Sequence, residues 1–141
     1  MKKFIFLFAC LVLSANAFSQ GASLLTDMKS KYSLSKDTVT NTGTDSLKIV
    51  LSESYSNLTI QPTVTKISGT MTSNSTPQLY GSLDGAKYYT ITGDTLHITN
   101  TSSKIQTNWV LTQQQYKVYK IVWTGAGTMS AKMEAKVLLI K

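Results

Sequence analysis

The 141-residue sequence contains one cysteine, one histidine, two prolines and no arginine, and each scarcity removes a class of chemistry. The single cysteine, Cys10, lies in an apolar leader. A processed chain therefore has no disulfide, no thiol nucleophile and no thiolate metal site. The single histidine, His97, alternates with Leu96 and Ile98 and is expected to face solvent on a strand. A histidine-dependent metal site would need further ligands. A serine nucleophile needs a base oriented by a third group, and no Gly-x-Ser-x-Gly occurs. The acids number seven. Asp45, Asp84 and Asp94 read as turn formers, because aspartate bends loops through its own side chain. Glu134 alternates with lysines on an outward face. The expectation is a chain with no catalytic residue, no metal and no cofactor. A hydrolase using an unrecognised carboxylate pair, to be probed at Asp84 and Glu53, stands as an alternative.

The first residues read as an export signal. Lys2 and Lys3 precede an unbroken apolar run from Phe4 to Leu13, and Ala15-Asn16-Ala17 supplies the small-x-small cleavage pattern. The run is about half the roughly twenty residues a membrane-spanning helix needs. Residues 1–17 are thus expected to be a signal peptide cut near Ala17. That places the mature chain outside the cytoplasm, secreted or in the periplasm or cell envelope, with no transmembrane span. Lipidation at Cys10, after Leu7-Phe8-Ala9, is the competing reading, but it would leave only six apolar residues ahead of the cut.

All fourteen basic residues are lysine. Two fall in the leader, so the mature chain carries twelve against seven acids, a net charge of +5. This balance favours anionic partners such as acidic glycans or other surface polymers. Lysine is a compact point charge without the planar fork that arginine brings to phosphate and guanine, so there is no specific nucleic-acid signal. Rings stack on sugar faces while neighbouring lysines hold an anionic group. Tyr88 with Lys87, and Lys117 and Lys120 further on, are the candidate ligand-binding residues. Trp109 and Trp123 share the parity of their aliphatic neighbours and are assigned to the core.

Threonine and serine dominate the polar residues, and β-branched threonine favours strands. Residues 18–45 carry a weak pattern. They are expected to be a linker or N-terminal extension, with Leu24, Met28 and Tyr32 at the spacing of a short helix. Residues 46–141 should form the domain. Leu47, Ile49 and Leu51 point one way from Ser46 to Ser52. Leu58, Ile60 and Val64 share even parity, and Ile67 and Met71 take odd parity, which requires a bulge or a break between them. Pro62 lacks a backbone donor and predicts an edge or a bend. Gln78–Leu83 and Lys87–Thr92 read as strands joined at Asp84-Gly85, followed by Thr95–Thr99, Ile105–Leu111 and Tyr116–Trp123. After the Gly125-Ala126-Gly127 turn, Met129, Ala131, Met133, Ala135, Val137 and Leu139 alternate with polar residues. About eight strands with no convincing helix predict an all-β, antiparallel β-sandwich of jelly-roll or discoidin-like type.

The segment from Leu79 to Tyr89, with Gly81-Ser82-Leu83-Asp84-Gly85 at its centre, resembles the strand–turn–strand of discoidin-like domains. Tyr116 to Ile121 is similar to that family's late aromatic strand. Small β-sandwich proteins of phage particles, and exported bacterial relatives of unknown role, share this pattern and a closing hairpin like Thr124 to Ala131. The likeness covers roughly residues 79–139. It implies structural turn roles for Gly81, Asp84, Gly85, Gly125 and Gly127, and a non-enzymatic sandwich. The usual cysteine pair and late arginine of discoidin-like domains are missing here, so no ligand is carried over. The functional expectation is an exported binding or surface-interaction module for glycans or envelope surfaces. A self-associating structural subunit of a phage particle or surface assembly is the rival.

Overall fold

The computed structural model describes residues 23–30, 34–72, 76–91 and 96–141; the expected signal peptide lies outside them. Eleven strands follow one another: β1 (Ser23–Asp27), β2 (Lys29–Ser30), β3 (Lys36–Thr40), β4 (Thr44–Val50), β5 (Asn57–Ser68), β6 (Gln78–Ser82), β7 (Tyr89–Thr90), β8 (Ile105–Gln106), β9 (Trp109–Leu111), β10 (Val118–Thr124) and β11 (Ser130–Ile140). They form two antiparallel sheets. The five-stranded sheet runs β2-β4-β10-β6-β7. In the six-stranded sheet β11 and β5 form the central pair. β1 and β3 share the other edge of β11, and β8 and β9 share the other edge of β5. No helix occurs among the described residues, so none there could cross a membrane.

The core lies between the sheets and follows strand parity. Ala131, Met133, Ala135, Val137 and Leu139 from β11 are buried, as are Leu58, Ile60 and Val64 from β5. They meet Leu47, Leu79, Tyr119, Ile121 and Trp123 of the opposite sheet in one cluster. At roughly 1.5–3 kcal/mol per buried large side chain, this cluster is the main source of the sandwich's stability.

The expected change of phase in β5 is a bulge. Ser130 pairs with Ser68 while Ala131 pairs with Lys66, which leaves Ile67 as the extra residue, 61% exposed. Pro62 is buried in a central strand rather than at an edge. Its carbonyl accepts from the Thr107 amide at 3.4 Å, so its nitrogen faces the gap between β8 and β9, where no ladder bond is needed.

Several expectations need correction. The described part of residues 18–45 is built into the sheets rather than being a linker: β1 and β3 pair with β11, β2 pairs with β4, and Met28 is fully buried. Of the three residues at helical spacing, Leu24 lies in β1, Met28 lies in the step between β1 and β2, and Tyr32 lies outside the described residues; pairing with β11 and β4 overrides a weak local pattern. The strand expected over Ile105–Leu111 is split into β8 and β9. Leu96 and Ile98 are buried and His97 is exposed, as alternation predicts, although residues 96–99 form no ladder.

Candidate functional site

On β10, Tyr119, Ile121 and Trp123 point into the core, so Lys120 must point out. Antiparallel register then decides which side chains stand beside it. Lys120 is opposite Lys48 of β4 on one side and Tyr80 of β6 on the other. Lys48 is in turn opposite Lys29 of β2. Residues directly opposite share a face. One transverse row, Lys29–Lys48–Lys120–Tyr80, therefore crosses the outer face of the five-stranded sheet. With strands about 4.8 Å apart, its three lysine positions span about 10 Å.

The row borders a groove of about 690 Å³ lined by Lys29, Lys48, Lys120, Tyr88, Gly85 and Asp27, among others. The Lys120 ammonium sits 4.0 Å from the centroid of the Tyr88 ring, a cation–π contact. Like charges directly opposite each other on a sheet are destabilising. Among the described residues, none of the three lysines has a carboxylate within ion-pair distance. Asp27, the acid lining the groove, is engaged by Lys136 at 3.5 Å.

The loop before Tyr88 is built by its own side chains. Ser82, fully buried at the end of β6, donates to Asp84 Oδ1 at 3.0 Å and accepts from the Gly85 amide at 2.9 Å. The same Asp84 oxygen accepts from the amides of Ala86 (2.8 Å) and Lys87 (3.1 Å). Those two amides, with the Ser82 hydroxyl, hold the Asp84 carboxyl below its ordinary range. Gly85 takes φ of 77°, a left-handed conformation that glycine adopts readily. The turn is longer than a two-residue hairpin, because register resumes only at Gly81 opposite Tyr89.

The structure brings together Tyr88 and Lys120 of the four residues expected to bind. Lys87 instead lies over Tyr89, 5.4 Å from the ring centroid. Lys117 borders a separate hollow of about 350 Å³ with Glu53, Tyr55 and Gln114. Tyr88, expected to be the most exposed ring, is half-buried in the groove, and Tyr89 is 51% exposed. Gly81 is not a turn residue: it lies within β6, where the Tyr116 ring leaves no room for a Cβ. Gly125 and Gly127 (φ 79°) lie in the connection from β10 to β11. Sequence reasoning missed Lys29 and Lys48. Lys48 was legible as an outward residue, but its neighbours across the sheet were not.

Other acids among the described residues are also occupied structurally, while Asp94, expected in a turn, lies outside the described residues. Glu53 pairs with Lys141, and Glu134 with Lys132 at 3.0 Å. Asp45 sits in β4, where it accepts from the Ser46 amide at 3.0 Å, rather than in a turn. Among the described residues no cluster of three His, Cys, Asp or Glu side chains could hold a metal ion. A further hollow of about 440 Å³ opens beside β7 and β9, where Thr90, Gln113, Gln115 and Tyr116 line it without a charge. Burial pushes the Tyr119 phenol at its floor upward in pKa, while its oxygen accepts from the Tyr116 and Gln115 amides.

No protein-family model matches the chain, and no curated protein sequence matches it. Solved structures do. The PBSX exported protein XepA superposes with a TM-score of 0.53 at 8% identity, over 83% of this chain and 36% of that one. The chain thus spans about a third of that protein. The SPBc2 prophage-derived protein YomS gives 0.48 at 8% identity, over 88% and 97% of the two chains. A family 29 carbohydrate-binding module gives 0.44 at 10% identity, over 82% and 90%. At such identities the shared property is the fold, an antiparallel β-sandwich. The Gly-Ser-x-Asp-Gly turn is not shown to be part of the likeness.

Proposed function

We propose that this chain is an exported, non-catalytic module that binds carbohydrate on the outer face of its five-stranded sheet. The observation that carries this reading is the Lys29–Lys48–Lys120 row, with Tyr88 packed under Lys120 beside an open groove. Tyrosine rings offer an apolar face to a sugar, and ammonium groups donate to its oxygens. Among the described residues Asp84 is tied into its turn and Asp27, Glu53 and Glu134 into ion pairs, which supports binding at the groove over hydrolysis. The apolar leader supports a location outside the cytoplasm.

A glycan panel tests the reading by calorimetry on the mature chain and on Tyr88→Ala. Saturable binding that weakens in Tyr88→Ala is expected. Failure of the intact chain to bind any glycan better than serum albumin does would defeat it.

The rival role, a subunit of a particle or surface assembly, draws on a different face. Leu25, Leu138, Thr59 and Val110 form one outward row across the six-stranded sheet, with Leu25 and Val110 each 63% exposed. A defined oligomer in light scattering that Leu25→Lys dissociates is its expected signature; a monomer at high concentration counts against it.

A further inference from the structure

We infer that the ligand of this groove is an acidic polysaccharide lying across the strands, its successive anionic groups meeting Lys29, Lys48 and Lys120. This rests on the carbohydrate-binding reading above and specifies its substrate class.

Among the paired outward positions of β4, β10 and β6, charge falls on one transverse row, and Asp27 at the groove's border is held by Lys136. The neighbouring outward row on one side is Ser46–Val122–Gln78, and on the other Val50–Val118–Ser82, and both are uncharged. A polymer lying along a strand would therefore meet one lysine of the row, whereas one crossing the strands meets three. The strand spacing sets the interval, about 4.8 Å from one lysine position to the next. That interval suits a chain with an anionic group on each successive unit better than a ligand with one isolated charge.

One feature favours acidic groups carried on sugars over a phosphate backbone. The rings at the β6–β7 end of the row, Tyr80 in register and Tyr88 beneath Lys120, offer a sugar an apolar face beside the last cation. The opposed lysines also explain why a destabilising arrangement is present at all. Their mutual repulsion is relieved when an anion lies between them, so the site is electrostatically poised for a polyanion and not for a neutral chain.

The test uses the mature chain against four probes: a polyuronate, a sulfated glycosaminoglycan, a neutral β-glucan and a single-stranded oligonucleotide. Affinities are read by calorimetry at two salt concentrations. The polyuronate or the glycosaminoglycan should bind most tightly, more weakly at the higher salt. Lys48→Ala, at the centre of the row, should lower that affinity by about tenfold, the equivalent of one charged hydrogen bond. Lys104→Ala, an exposed lysine outside the groove, should leave it unchanged. Uronate trimers should bind far better than monomers. The thermal midpoint of Lys48→Ala checks folding and should not fall, because a like-charge contact is removed.

Preferential binding of the neutral glucan, unaffected by Lys48→Ala, would overturn the acidic ligand and leave the carbohydrate-binding reading intact. Tighter binding of the oligonucleotide would overturn both. So would binding of none of the four.

Discussion

The ring of Tyr116 packs so closely on Gly81 that a Cβ at that position would overlap its Cγ, Cδ2 and Cε2 atoms. Tyr116 also meets Tyr119 edge to face, with centroids 6.1 Å apart, so its ring has little freedom to retreat. Gly81→Ala should cost about 1–3 kcal/mol, the usual range for overpacking. In a Tyr116→Ala background the same substitution should cost much less. Urea denaturation of the four proteins of this cycle measures the coupling directly; additive effects would show that the ring contact does not constrain Gly81.

Gly69 and Gly85 both have a left-handed backbone and differ in their surroundings. Gly69 (φ 72°) follows the bulge at Ile67, and a Cβ there would run into the Thr128 carbonyl. Gly85 (φ 77°) has only Val118 Cγ2 near, at 3.7 Å. Gly85→Ala should therefore cost only the conformational penalty, about 1–2 kcal/mol. Gly69→Ala adds a backbone collision and should cost about 2–5 kcal/mol. Equal shifts in thermal midpoint would contradict this ordering.

Stability should depend on pH through two groups. The Asp84 carboxyl is depressed by its amide and hydroxyl donors, so the unfolded chain binds a proton more readily than the folded one. Its contribution is complete above the unfolded value near pH 4 and is lost as pH falls through the folded value. Tyr119 behaves oppositely, because burial raises its phenol. Its contribution is complete below about pH 10 and is lost as pH rises through the folded value. Chemical denaturation across the acid range should give a flatter profile for Asp84→Asn than for the parent chain. Across the alkaline range the flatter profile should belong to Tyr119→Phe.

The last strand tests the register. Leu139 is 2% exposed in the core, and Lys136 lies on the opposite face beside Asp27. Leu139→Asp buries a charge with no partner and should unfold the domain. Lys136→Asp exchanges an exposed ion pair for an exposed repulsion and should cost about 1 kcal/mol. Comparable losses of secondary structure in circular dichroism would mean that the two faces are not as described.

What the sequence determined by itself is the local alternation. The two-residue period of β11 marks Ala131 to Leu139 as a buried row, and the parity change after Val64 announces the bulge that the structure places at Ile67. Both signals lie within one strand, where neighbouring side chains take opposite faces by geometry. The same logic assigned Trp109 and Trp123 to the core and left Lys48 outside.

Tertiary structure alone decided which strands stand together. β1 to β3 have little periodicity of their own and are strands because β11 and β4 supply their hydrogen-bond partners. Pro62 is tolerated in a central strand because a gap in the neighbouring edge faces its nitrogen. Lys29, Lys48 and Lys120 come from three separate strands, and only their register makes them one row. No local pattern encodes that row, since pairing between distant strands is fixed by packing of the whole sandwich. The fold was therefore legible from the chain, and the candidate site only from its assembly.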